Sequence, residues 1–231
     1  MATTARARVR AELTEEIKAV ARRHLAEHGA SALSLRAVTR EVGMVSSAVY
    51  RYFPSRDELL TALIVDAFHA VGAAAEAADE TKRRTDVLGR WIATAKGVRS
   101  WAVEHPHEHA LIYGSPVPGY QAPADTIDPA ARVSLVVLRI LVDGVAQGAI
   151  ETGGPIETSR AVRDDLSQLR ALAAPAVPDE VLSRGLLVWT QVLGAISYEL
   201  FGHLHNVIHD HDAFFDLQVR QCGRYLLHGP A

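Results

Sequence analysis

The chain has a single cysteine, Cys222, in 231 residues. One thiol excludes an internal disulfide and any zinc site built on cysteine pairs, and it fits a reducing compartment. Cys222 itself reads as a bland buried thiol rather than a redox sensor. Long apolar runs are scarce as well. The most apolar stretches, SLVVLRILVDGVAQGAI and LLVWTQVLGAISYELF, carry Arg139, Asp143, Gln191 and Glu199, so neither offers the run of about 18 apolar residues that a membrane span needs. The amino-terminal MATTARARVR and the charged AELTEEIKAVARRHLAEHG after it lack the apolar core of a signal peptide. These absences predict a cytoplasmic protein with no membrane partner. Alternation of apolar and polar residues is almost missing, which argues against strands. Catalytic signatures are missing too. HPHEHALIY places His105, His107 and His109 near Glu104 and Glu108, but not at the H-E-x-x-H spacing that puts two zinc ligands on one helix face. Neither a serine elbow nor a phosphate-cradling glycine loop is found, so an enzyme is not expected, and no cofactor is.

What is present is ample core material, at 48% hydrophobic residues, and an uneven distribution of charge. Residues 1 to 60 hold ten Lys/Arg against seven Asp/Glu, a balance of +3; the remainder holds 14 against 20, a balance of -6. A basic head on an acidic body points to a polyanionic partner for the head alone.

Apolar residues recur at three and four almost throughout, which predicts an all-α fold. Leu13, Ile17, Val20, Ala21 and Leu25 form one face of a first helix, ended by Gly29 as a left-handed cap. Ser34 caps a short second helix with Leu35, Val38 and Val42 inward, stopped by Gly43. Ser46 or Ser47 then caps a third helix running to about Tyr52, and Ser55 with Glu58 forms a capping box for a long helix from Arg56. Further helices are predicted near 84 to 104, 106 to 113, 128 to 151, 159 to 172, 179 to 205 and 211 to 228, between breaks rich in proline and glycine. The predicted organisation is a three-helix head, residues 1 to 56, and a helical body, residues 57 to 231.

In the third helix only Val49 and Phe53 are strongly placed for packing. Ser46, Ser47, Ala48, Tyr50, Arg51 and Tyr52 are left for its other faces. Small residues at a helix start permit close approach to base edges, hydroxyls can donate or accept there, and Tyr and Arg reach phosphates. Two short helices joined by a glycine turn, the second with a polar exposed side, are a helix-turn-helix arrangement.

The stretch LSLRAVTREVGMVSSAVYRYFPSRDELLTAL resembles the DNA-binding signature of the TetR family of bacterial transcription repressors, over roughly residues 10 to 65. The resemblance implies a homodimer that binds double-stranded operator DNA and is released by a small-molecule effector. It implies that Arg36, Ser46, Ser47, Ala48 and Tyr50 face the major groove, that Ser34, Tyr52 and Arg56 contact phosphates, and that Arg51 does either. Tyr52 stands where many members have histidine and Arg56 where many have lysine; both changes keep a donor. WTQVLGAISYELFGHL, residues 189 to 204, resembles the tryptophan-glycine helix of one group of such bodies, with Leu193 where that group often has histidine.

The family likeness further implies a four-helix interface made by the last two long helices and their copies. Leu186, Trp189, Val192, Leu193, Ile196, Tyr198, Leu200 and Phe201 make the first of these helices apolar nearly all round, and Gly194 allows close approach. An effector pocket in such a body is expected between the helices at 84 to 104, 106 to 113 and 128 to 151, walled by Trp91, Trp101, Tyr113, Leu138 and Val142, with Arg139 or Gln147 for polar contacts and YGSPVPGYQAP as a lid. The alternative effector is a metal ion. HLHNVIHDHD sets His205 and His209 four apart with Asp210, His211 and Asp212 nearby.

Overall fold

The computed structural model describes residues 5–154 and 158–229, apart from the side chains of Ser46 and Ser47. Among the described residues every regular element is helical. In chain order these are α1 (Ala5–His28), α2 (Leu35–Val42), α3 (Ser46–Val49), α4 (Arg56–Glu80), α5 (Val87–Glu104), α6 (Pro106–Tyr113), α7 (Ile127–Ala146), α8 (Arg160–Ala173), α9 (Asp179–Leu200) and α10 (His211–His228), with single 3-10 turns at Ala30–Ala32 and Ala124–Thr126.

Four of the five apolar positions predicted for the inner face of α1, Ile17, Val20, Ala21 and Leu25, are buried with Val38 of α2, Val49 of α3, Phe53, and Leu59, Leu60 and Leu63 of α4, while Leu13 is half-buried. Gly43 ends α2 in the left-handed region, at φ 74 and ψ 16. An added Cβ there would meet nothing within 4 Å, so the need for glycine is one of backbone conformation. Gly29 also has positive φ, 76, but its ψ of 166 sends the chain out extended rather than closing the expected left-handed cap. Ser34 occupies the N-cap position of α2 without a side-chain cap hydrogen bond. The Glu58 N–H donates to Ser55 Oγ at 3.1 Å, so α4 does start on its serine cap.

The third helix is shorter than predicted. It makes one turn, Ser46–Val49, after which Arg51 N–H donates to Ala48 O at 3.1 Å and Tyr52 N–H to Val49 O at 2.9 Å in successive turns. Pro54 keeps the chain from resuming the helix: it has no N–H to continue the ladder, and it disfavours helical geometry at Phe53.

The chain divides into two compact units. One runs through His69 and takes in His105–Pro129; the other is Ala70–Glu104 with Ala130 onward. The first unit thus holds more than the predicted head, adding the first half of α4, all of α6 and the loop after it. Asp66 of α4 accepts from Arg22 of α1 at 2.6 Å and pairs with Lys18 at 2.8 Å, while Arg22 also reaches Glu108 of α6 at 3.3 Å. The YGSPVPGYQAP loop, expected as a lid, packs Val117 and Tyr120 against this core, and Tyr120 Oη lies 2.9 Å from Thr61 Oγ1. By length and composition α4 is apolar enough to cross a membrane, a stretch that inspection of the sequence passed over. Its apolar side is core instead, with Leu59, Leu60, Leu63, Ala67, Val71 and Ala75 buried.

In the second unit α5, α9 and α10 pack around Trp91. Its Nε1–H donates to Val219 O at 2.9 Å, and its ring meets that of Trp189 edge-on at 6.2 Å. A Cβ on Gly223 would come within 2.5 Å of Leu88 and 2.9 Å of Trp91, so glycine sets how closely α10 approaches α5. A charged cluster lies beside this core. Asp143 of α7 accepts from Arg84 Nη2 at 2.8 Å and from Arg90 Nη1 at 2.7 Å, and Arg90 Nε also donates to Asp79 of α4 at 2.7 Å.

Burial works against ionisation of Asp143, but the hydrogen bonds from Arg84 and Arg90 outweigh it and hold the carboxyl below its ordinary pKa. A depressed folded-state pKa contributes stability above the unfolded value, near 4, that is lost as pH falls through the folded one. Asp143→Ala, which also leaves Arg90 with one carboxylate fewer, is expected to cost roughly 3 kcal/mol at pH 7. Urea denaturation of both proteins between pH 7 and pH 2 should show the gap narrowing below about pH 4.

Candidate functional site

The helix-turn-helix is built from α2, α3 and the turn after it, and it presents a mixed polar surface. Arg36, Tyr50 and Arg51 are exposed, Ser34, Ala48 and Tyr52 are half-buried, and Val45 stands 73% exposed at the turn. Val49 and Phe53 are buried beneath, as predicted. The side chains of Ser46 and Ser47 lie outside the described residues.

Two of the predicted phosphate contacts have partners within the chain. Arg10 of α1 places its guanidinium 5.3 Å from the centre of the Tyr52 ring and donates from Nη2 to Arg51 O at 3.4 Å. Arg56 donates from Nε to Leu33 O and from Nη2 to Ala30 O, both at 3.0 Å, and its Nη1 lies 3.3 Å from Asp57. Arg56 therefore ties the start of α4 to the segment that carries Ser34. Sequence reasoning missed Arg10, which only its place in a basic run could have suggested. It also missed the Lys18, Arg22, Asp66 and Glu108 network, whose visible signal was one acid inside the apolar run LLTALIVDAFHAV.

In the body, three of the seven predicted effector contacts meet. Leu138 and Val142 line a cleft of about 200 Å³ with Leu135 of the same helix and Ala173 of α8, and Arg139 lies on it with Arg84 and Asp143. A second cavity of about 550 Å³ shares those three charged residues and reaches Glu76 and Asp79. The other four are placed differently. Trp91 is consumed by packing between α5, α9 and α10, and Trp101 is buried at 6% exposure. Gln147 is exposed and donates to Arg84 O at 3.2 Å. Tyr113 belongs to the head unit, its ring edge-on to Phe68 at 6.1 Å and its hydroxyl pushed by burial to about 12.

The predicted subunit face of α9 needs correction. Trp189, Val192 and Ile196 are buried within their own chain, Ile196 completely, while Leu193 and Leu200 are half-buried. The apolar residues that α9 exposes are Leu186, Leu187 and Tyr198, with Phe201 just beyond it. Gly194 lies along the same exposed side, with open space where a Cβ would stand.

The metal alternative loses its geometry. α9 ends at Leu200 and the chain turns through Gly202 at φ 76, so His205 and His209 do not share a helix. Asp210 caps α10 through Ala213 N–H, and Asp212 pairs with Arg99. Among the described residues no group of three or more His, Cys, Asp or Glu is placed to hold a metal ion.

Residues 17–63 match the family model described as bacterial regulatory proteins, tetR family, and residues 91–222 match that of the tetracyclin repressor-like C-terminal domain. The HTH-type transcriptional regulator Rv1816 of Mycobacterium tuberculosis (strain ATCC 25618 / H37Rv) is 41% identical over 232 residues, covering 95% of this chain and 96% of its own. The crystal structure of the regulatory protein SCO4313 superposes with a TM-score of 0.76 at 35% identity, over 95% of this chain and 98% of that one. PfmR of Thermus thermophilus, a TetR family regulator, shares the fold at a TM-score of 0.57 and 17% identity, over 91% and 96% of the two chains.

Because Arg56 donates to two backbone carbonyls of the segment between α1 and α2, Arg56→Ala is expected to destabilise the protein by about 1–3 kcal/mol. Arg36→Ala, on an exposed side chain, should change stability by no more than about 0.5 kcal/mol. Urea midpoints of the two variants measure the difference.

Proposed function

The chain belongs to the TetR family of bacterial transcription regulators, and on that footing we propose that this DNA-binding protein is a homodimeric repressor that leaves its operator when a small molecule binds the body. The observation that carries the reading is the exposed polar surface of the helix-turn-helix, held up from beneath by Val49 and Phe53. In this reading Arg36, Ser46, Ser47, Ala48 and Tyr50 read base edges and Arg51 reaches bases or phosphates. Ser34 and Tyr52 contact phosphates, and Arg56 positions Ser34 as well as adding charge. The division of labour falls at Arg56, where the DNA-reading part ends and α4 begins. The protein acts in the cytoplasm, as a regulator rather than a catalyst.

The exposed apolar side of α9 supports the dimer. Leu187 and Tyr198 lie on one side of the helix with the open Gly194 between them and Leu186 beside them, and apolar surface of this kind favours a partner over water. A two-fold dimer carries two heads, so the operator is a near-palindrome with half-sites about 34–36 Å apart. An effector releases it only by preferring the conformation that binds DNA poorly. Turning a 1:99 population into 99:1 takes a preference of about 5.5 kcal/mol.

Selection of bound sequences from random duplex DNA tests the proposal directly and should return a near-palindrome; a motif without two-fold symmetry would refute the dimeric reading. Arg36→Ala is expected to relax base preference in that motif, at a cost of about 1–3 kcal/mol in specific binding. Leu187→Glu should shift sedimentation at micromolar concentration from dimer to monomer, whereas the same change in a merely solvated residue would leave the sedimentation coefficient where it was.

A further inference from the structure

We propose that the cleft beside α7 binds a small amphipathic carboxylate, with Arg139 taking the anion; this names the chemistry of the effector and rests on the repressor reading above. The wall is apolar and regular. Leu135, Leu138 and Val142 follow one another at three and four along α7, facing a space of about 200 Å³ with Ala173 of α8 on its lining. Leu135 is 44% exposed, a large apolar side chain left to water on a helix whose opposite side is fully packed.

The polar side of the cleft carries two arginines, Arg84 and Arg139, against one acid, Asp143. Asp143 accepts from both Arg84 and Arg90, so its charge is already matched. In the adjoining cavity Glu76 is held by Arg132 at 2.5 Å and Asp79 by Arg90 at 2.7 Å, and Glu80 shares the lining with Lys82. Among the described residues Lys82 and Arg139 are the lining cations that form no salt bridge, and of the two only Arg139 borders the apolar cleft. Arg139 is exposed and borders both spaces; Glu76 feels its charge through space without a hydrogen bond. An Arg fork with apolar surface beside it suits a planar carboxylate on a short hydrocarbon body, and the charge-assisted bond is stronger where the hydrocarbon excludes water. A ligand amine would find Asp143 with its oxygens already accepting from two guanidinium groups.

The site is wired to the long helix. Arg90 spans from Asp143 to Asp79 in the last turn of α4, the helix that starts at the recognition turn. A ligand carboxylate beside Asp143 adds like charge there and competes for Arg84, so binding changes what Arg90 holds at the end of α4.

The test uses full-length protein with three probes of equal chain length: hexanoate, hexanol and hexylamine. Calorimetric titration should show hexanoate binding at least tenfold more tightly than hexanol, and hexylamine more weakly than either. Arg139→Ala should remove that tenfold preference while leaving hexanol unchanged, Arg139→Lys should restore part of it, and Leu138→Trp should block hexanoate and hexanol alike. Undetectable hexanoate binding, equal binding of acid and amine, or full hexanoate affinity in Arg139→Ala would overturn the site. Operator DNA with the same probes separates the two readings. Arg139-dependent hexanoate binding that leaves the operator bound upholds the carboxylate site and overturns its role as the switch, while loss of operator binding with hexanoate in wild type and not in Arg139→Ala upholds both.

Discussion

The guanidinium of Arg90 is the group on which the charged interior of the second unit depends. It is 5% exposed, and a buried cation is tolerated only where its donors are matched. Asp79 and Asp143 match them from two different helices, α4 and α7, so burying one charge fixes the mutual position of three elements. The end of α4 is thereby held by directional bonds rather than by apolar packing alone. At its other end α4 is held by the Ser55 cap and by the carbonyl bonds of Arg56. A 25-residue helix, some 38 Å long, is thus anchored at both ends by polar contacts. Directional anchors of this kind have discrete alternative partners, whereas packed cores resist continuous deformation, so a switch acting through α4 is best placed at its ends.

The recognition turn obeys a different constraint. A four-residue helix is far below the length that is stable alone, so tertiary contacts must hold it. Val49 and Phe53 supply the apolar part and the Arg10 contact with Tyr52 supplies a lateral one. That leaves the exposed Tyr50 and Arg51 side chains, just after α3, free of structural duty, which is what a DNA-reading surface requires. The cost falls on Tyr52, which serves the fold as well as any phosphate it meets.

Local rules written in residue type were legible: the Ser55 cap, the left-handed Gly43, and the α10 span from His211 to His228 all stand as spacing and capping predict. The predicted ends of α3, α7 and α9 ran too far because apolar periodicity carries past a break; Pro54 bars helix beyond Phe53, and Gly148 and Gly202 turn the chain at positive φ after α7 and α9. The face of α9 was illegible for a clearer reason. A helix apolar nearly all round has two apolar faces, and periodicity does not say which is its own core; Trp189 and Ile196 turned out to be core, Leu187 and Tyr198 surface. The large aromatics misled in the same way, since Trp91 has as much to offer a core as a ligand. The phosphate role expected of Arg56 came from the family resemblance; its bonds to Leu33 O and Ala30 O were not legible, because a sequence does not reveal which loop carbonyls will draw a donor from elsewhere in the chain.

Charge in the head is sorted by position. Glu41 is taken by Arg23 at 2.7 Å with His24 Nε2 equally close, and Asp66 is taken by Lys18 and Arg22. Those basic residues lie in the middle and second half of α1, against α2 and α4, and their charge is spent within the chain. Arg6, Arg8, Arg36, Arg40 and Arg51 form no salt bridge among the described residues, and all are exposed. The +3 balance of the first 60 residues is therefore concentrated at the start of α1, on α2 and at the recognition turn. The body, with its excess of acids, repels a polyanion. Binding through such a head makes affinity for DNA depend on salt, because each arginine that neutralises a phosphate releases a counterion. In the proposed reading, specificity falls to the few side chains, Arg36 foremost among the described ones, whose donors are neither paired with an acid nor bonded to the chain's own carbonyls.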